Sequence, residues 1–203
     1  MVLTGVDFQV PVGQCCGIVG ENGSGKTTLL RCLVGLVRPT AGRVTVLGRE
    51  LYPHLGPLPT GLGAIIEQPA FLGRLTARQN LELLASLNPR PLSVSAIEGV
   101  LERVGLDPQH RNRVASYSLG QRQRLALAQA LMESPRVLIL DEPQYGLDPQ
   151  GMAMLRTVIA SFQAEGGTTV MVSHHLEEVA ALCDVAYTMH SGRPVLGGPV
   201  GAS

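Results

Sequence analysis

Apolar positions in this chain follow two rhythms, short unbroken runs and longer stretches with an apolar residue every third or fourth place. The runs at Cys15–Val19, Gly63–Ile66, Val137–Leu140, Thr168–Val172 and Val185–Met189 predict strands. Strands that are apolar without alternation are covered on both faces, as in a parallel sheet. The stretches between them predict helices at Thr28–Val34, after Thr76, after Ser95, from Asp148-Pro149 to about Glu165, and at Leu176–Leu182. Thr76-Ala-Arg-Gln79 and Ser95-Ala-Ile-Glu98 each read as a capping box. The first opens a helix with Leu81, Leu84 and Leu87 on one face; the second buries Ile97, Val100, Leu101 and Val104 and stops at Gly105. Pro89 and Pro91 separate the two, and Gly166-Gly167 closes the later helix. Val2–Val10 alternates only in part and predicts a strand ended by Pro11 and Gly13; Arg43–Leu47 predicts another after a turn at Pro39–Gly42. Pro53–Gly61 reads as a loop, and Ser191-Gly192 as the last turn. The order implies one α/β domain over residues 1–203, its lobe made of 1–70 and 135–203, with a helical block at 71–134 inserted.

The stretch with the most specific chemistry lies between the first apolar run and the first helix. Gly20-Glu21-Asn22-Gly23-Ser24-Gly25-Lys26-Thr27-Thr28 satisfies the phosphate-loop spacing G-x-x-x-x-G-K-[ST]. Glycines let successive N–H groups turn inward around an anion, and the following helix adds its positive end. Lys26 supplies a compact charge for the β- and γ-phosphates, and the Thr27 hydroxyl can ligate Mg²⁺. Lys26 is also the only lysine; the other fifteen basic residues are arginine. A lysine kept where an ammonium serves and a planar fork does not is informative.

Charge and composition narrow the partners. Sixteen basic and sixteen acidic residues cancel. No basic stripe points to nucleic acid, and no run of like charge suggests an interaction tail. No apolar stretch reaches the length of a membrane span, and Met1–Val10 lacks the basic start of a signal peptide and carries Asp7. A membrane role therefore requires a separate partner. Cys15, Cys16, Cys32 and Cys183 have no metal-ligand spacing and read as buried thiols in a reducing, cytosolic setting.

Three further residues sit at strand ends, where parallel sheets gather ligands. Asp141 follows the apolar run Val137–Leu140 and can hold Mg²⁺, directly or through water. Glu142 beside it can polarise an attacking water as general base. Ser173-His174-His175 ends the next run; a neutral imidazole there can bond the γ-phosphate, and the residues alone do not choose between His174 and His175.

These stations, in this order, resemble the ATP-binding subunits of ABC transporters over essentially the whole chain. Gly20–Thr28 is similar to their Walker A loop, and Tyr117-Ser118-Leu119-Gly120-Gln121 to a variant of their signature sequence. Val137–Glu142 is similar to Walker B with its catalytic glutamate, Gly146-Leu147-Asp148 to the D-loop, and Val172-Ser173-His174 to the switch-histidine loop, which favours His174. The resemblance implies a RecA-like P-loop NTPase fold: a mostly parallel sheet, an inserted helical subdomain and a small N-terminal antiparallel β portion. It implies ATP and Mg²⁺ as ligands, with Lys26, Glu142 and His174 catalytic. Two such domains would close head-to-tail, each ATP lying between one Walker A loop and Ser118, Leu119, Gly120 and Gln121 of the other, as a homodimer or with a second ATPase. The pair would sit at the cytoplasmic face of the membrane on a permease, most similar to exporters of the drug, antibiotic or bacteriocin kind.

The sequence departs from the family pattern in three places. Glu67 stands where a glutamine is usual, with Gln68 one place later, so either is the candidate for the third Mg²⁺ contact. Leu119 replaces the first signature glycine. The aromatic that stacks on adenine would fall before Met1, Phe8 matching a core position instead; weak adenine binding or a start further upstream is expected. Two rival readings accompany the exporter subunit. One is a soluble non-transport ABC ATPase, a type that often has two such domains or long arms. The other is a regulatory ATP-binding module with impaired hydrolysis, which Glu67 and the missing aromatic favour and Lys26, Asp141, Glu142 and His174 oppose.

Overall fold

The computed structural model describes residues 2–52, 59–67, 70–88 and 91–199. Gln68, Pro89 and most of the Pro53–Gly61 loop fall outside them. A six-stranded sheet forms the frame, in the order β4 (Leu62–Ile65), β5 (Val137–Asp141), β6 (Thr168–Ser173), β1 (Cys15–Gly20), β7 (Val185–His190), β8 (Arg193–Pro199). The first five are parallel to one another; β8 runs antiparallel to β7 at the edge. Residues of one strand alternate between two cores. Cys15, Leu138, Leu140 and Met171 face one core; Cys16, Ile18, Ile139, Val170 and Val172 face the other. Both faces are covered, which is why these strands read as unbroken apolar runs.

Helix α1 (Lys26–Leu33) brings Leu29 and Leu30 to one face of the sheet. The opposite face receives α4 (Leu119–Leu131), α5 (Pro149–Ala164) and α6 (Leu176–Leu182), with α2 (Ala77–Ala85) and α3 (Val94–Arg103) joined to the same core. Two glycines set how closely these helices approach. A Cβ on Gly63 would lie 2.1 Å from the Ala130 carbonyl oxygen of α4, and one on Gly17 would lie 2.1 Å from Val179 of α6. Any larger residue would push a helix off the sheet.

Several elements differ from their sequence pattern. Residues 2–10 join no ladder. Gly5 interrupts them with φ 58°, and their polar groups go elsewhere: Thr4 N–H to the Gly192 carbonyl, and the Tyr187 hydroxyl to the Gln9 carbonyl. The strand expected at Arg43–Leu47 shortens to β2 (Thr45–Val46), which turns through Leu47 and Gly48, both with positive φ, into β3 (Arg49–Glu50). Thr76 forms its capping box with Gln79, but α2 stops at Ala85 and leaves Leu87 exposed. The cap of α3 is Ser93, not Ser95; Glu98 instead accepts from Arg78 and Gln109. Strand β8 follows Ser191-Gly192, which is therefore a hairpin turn, not the last turn of the chain.

Candidate functional site

The phosphate loop begins at the carboxyl end of β1 and ends on the first turn of α1. Gly25 sits at φ 107°, a conformation that a side chain would strain, and this lets the loop swing into the helix. Gly20 is demanded by contact: a Cβ there would lie 2.6 Å from the Met189 carbonyl oxygen. Lys26 is buried, and its Nζ donates to the carbonyl oxygens of Gly20 (2.6 Å) and Glu21 (2.9 Å). The ammonium is thus held over the loop, where an incoming phosphate would meet it. Burial lowers its pKa, opposed by the nearby Glu142 and Asp141 carboxylates.

Strand β5 delivers Asp141 to the same place. Its carboxyl is pushed upward, chiefly by burial and further by Glu67, against a hydrogen bond from Thr27 and the charges of Lys26 and Arg31. A desolvated carboxylate touching a hydroxyl is a set of hard oxygen donors, and it fits Mg²⁺. Glu142 follows with φ 50°, its N–H donated to the Val172 carbonyl. Its pKa is raised by burial first, then lowered by His174, raised by Asp141, lowered by Lys26 and raised by Glu178. His174 Nε2 lies 2.7 Å from Glu142 Oε1, off the direction of an aligned hydrogen bond. Glu67, at φ 61°, is ion-paired with Arg31, which stands one helical turn after Thr27 on α1. Its added negative charge is therefore partly neutralised within the chain.

A cleft of about 600 Å³ unites these groups: Asn22, Gly23, Gly25, Lys26, Thr27, Thr28, Glu67, Asp141, Glu142 and His174 line it, with Val2, Gln123 and Tyr145. His175 is absent from that lining; its N–H donates to Ser173 Oγ at the neck of α6. Ser118, Leu119, Gly120, Gln121 and Asp148 lie elsewhere, around a separate hollow of about 450 Å³ shared with Gly105, Leu106, Arg124 and Gly146. Ser118 caps α4, accepting from Gln121 N–H while the Gln121 side chain accepts from Ser118 N–H. Leu119 packs on Gly146, where a Cβ would lie 2.4 Å from its Cγ.

Sequence reasoning missed Arg31, Gln123, Gln144 and Tyr145. Gln123, Gln144 and Tyr145 each lie within three residues of a motif position, Gly120 or Glu142, but are not themselves part of a motif pattern, and Arg31 meets Glu67 only through the fold. Gln123 donates to the Glu142 and Pro143 carbonyls, and Gln144 to the Glu142 carboxylate.

A glycine loop between β1 and α1, facing a carboxylate on β5 across the intervening β6, defines a P-loop nucleotide-binding domain. The chain belongs to the ABC transporter family, whose family model matches residues 3–145. It is 40% identical over 195 residues to the bacitracin transport ATP-binding protein BcrA of Enterococcus faecalis, covering 96% of this chain and 63% of that protein. It is 38% identical over 195 residues to the lantibiotic transport ATP-binding protein SrtF of Streptococcus pyogenes, covering 96% and 83%. A solved structure of the ATP-binding subunit of an ABC transporter superposes with a TM-score of 0.85 at 28% identity, covering 97% of this chain and 83% of that one. The chain thus spans less than two thirds of the BcrA length, though most of SrtF.

Proposed function

We propose that this chain binds and hydrolyses ATP and thereby drives a separate membrane-spanning permease, an exporter. The observation that carries the reading is the shared cleft of Lys26, Thr27, Asp141, Glu142 and His174. The loop N–H groups and Lys26 receive the phosphates. Thr27 and Asp141, with Glu67 or Gln68, would hold Mg²⁺, which supplies neutralising charge on the β- and γ-phosphates when bound. Glu142 orients and deprotonates the attacking water; its raised pKa makes it a better base than an ordinary carboxylate. His174, beside Glu142, contacts the γ-phosphate and senses its loss.

Ser118, Leu119, Gly120, Gln121 and Asp148 act in trans. They face the second hollow, so a head-to-tail dimer brings each set to the other chain's ATP. Residues 71–134 form the helical subdomain that docks on the permease at the cytoplasmic face of the membrane. Among the described residues no helix is long and apolar enough to cross a membrane, which fits work through a partner. The names of the relatives support bacitracin- or lantibiotic-like cargo. Purified chain should release phosphate from Mg-ATP, and Glu142→Gln should bind nucleotide without releasing it. Failure of the parent to bind Mg-ATP would sink the reading.

A further inference from the structure

One buried side chain joins the two loops on the hydrolytic side of the cleft. Gln144 is 8% exposed, and its Nε2 places both hydrogens: one to Glu142 Oε2 at 3.1 Å, one to Ser173 Oγ at 3.0 Å. Ser173 is fully buried at the end of β6. Its hydroxyl accepts from Gln144 and from His175 N–H (3.0 Å), and donates its own proton to Glu178 Oε2 at 2.5 Å. That uses one donor and both lone pairs, so the hydroxyl is saturated.

This arrangement fixes the direction of the amide. Turned over, Gln144 would set its oxygen against a carboxylate oxygen and against a hydroxyl whose only proton is committed to Glu178. Among the described residues, Gln144 Oε1 has no partner to favour the turned-over amide. The donors hold Glu142 by Oε2 and leave Oε1 turned towards His174.

We propose that Gln144 is a positioning residue that locks the Glu142 carboxylate and ties it to the Ser173-His174-His175 loop, so that base and switch histidine move as one unit. The proposal rests on Glu142 being the base. No shorter or differently charged side chain does this: asparagine lacks the reach to both acceptors, and glutamate brings a like charge to Glu142 in place of two donors.

The test uses Gln144→Leu, which keeps the volume and removes the amide, and Ser173→Ala, which cuts the link from the other end. Each variant should slow single-turnover ATP hydrolysis roughly 10- to 100-fold, the cost of a misplaced catalytic group, with unchanged affinity for ATP. The double variant should be no slower than the worse single one, because both cut the same link. Amide hydrogen exchange at His174 and His175, measured without nucleotide, should quicken in Gln144→Leu, which leaves the His175 N–H bond to Ser173 Oγ in place. Hydrolysis at the parental rate in Gln144→Leu, a loss matched by equal loss of ATP binding, additive losses in the double variant, or unchanged exchange would each overturn the proposal. If the parent hydrolyses no ATP, the function proposed above fails; quickened exchange would still support the tie between the loops, and unchanged exchange would overturn it.

Discussion

The Walker A cleft and the signature hollow hold their polar groups in opposite ways. In the cleft, Lys26 and Asp141 are withdrawn from water, and burial moves both pKa values towards neutrality. Charge is kept there without full compensation, a state that a bound triphosphate and cation would relieve. At the hollow, Ser118 and Gln121 satisfy each other's backbone N–H groups, and Arg124 lies 3.5 Å from Asp148. The charge drawn in there, Arg124, already has its carboxylate. The difference fits the function proposed above, in which the cleft binds nucleotide within one chain and the hollow is a surface delivered to a ligand held by another.

The sharpest way to break the comparison is to remove the base. Glu142→Gln should lower kcat by about 10²- to 10⁴-fold, read as phosphate release, with nucleotide affinity retained. Lys26→Ala should weaken ATP binding by about 1.5–3 kcal/mol in calorimetry, the range for a charged hydrogen bond. Lys26→Arg should not restore it, since a planar fork cannot take the place of Nζ between the Gly20 and Glu21 carbonyls. Ser118→Ala, on the other side of the comparison, should cost about 1 kcal/mol of stability through the lost cap. It should slow hydrolysis while leaving ATP binding by the single chain intact.

Burial also gives the cleft a pH signature. The folded-state pKa of Glu142 lies above its unfolded value. The native state therefore keeps its proton to higher pH, and stability falls as pH rises from the unfolded through the folded value. As it ionises, Glu142 opposes folding. Glu142→Gln should then melt higher by about 2–4 °C per kcal/mol relieved in nucleotide-free scans, and the gain should vanish below the ordinary carboxylate range. A variant that melts lower at neutral pH contradicts the account. The smallest effect belongs to Arg31→Ala: the Arg31–Glu67 pair is well exposed, so stability should change by less than about 1 kcal/mol in denaturant titration.

What the sequence made legible follows from how local each signal is. Strands β1, β5 and β6 match their predicted runs to within a residue, because burial on both faces leaves no apolar-polar alternation to blur them. Strand β8 was missed because it is an exposed edge with Pro194, Gly197, Gly198 and Pro199. The small antiparallel β portion that the resemblance implies is present as the β2–β3 hairpin, but the pattern showed only one strand at Arg43–Leu47, because each strand has two residues and the turn rests on a leucine at φ 53°. In the cleft, the phosphate loop and the Asp141-Glu142 tip are consecutive residues with fixed spacing. Arg31 acts on a partner thirty-six residues away, and Gln144 on Ser173 twenty-nine away. No periodicity or motif encodes such pairs; the first exists only once α1 packs beside the end of β4, the second only once β5 and β6 lie side by side.

The most direct test of the delivered-surface account is the light-scattering mass of Glu142→Gln with and without Mg-ATP. The account predicts that mass doubles with Mg-ATP in this variant and that adding Ser118→Arg abolishes the doubling while ATP still binds. A variant that binds Mg-ATP and stays at the mass of one chain would contradict it.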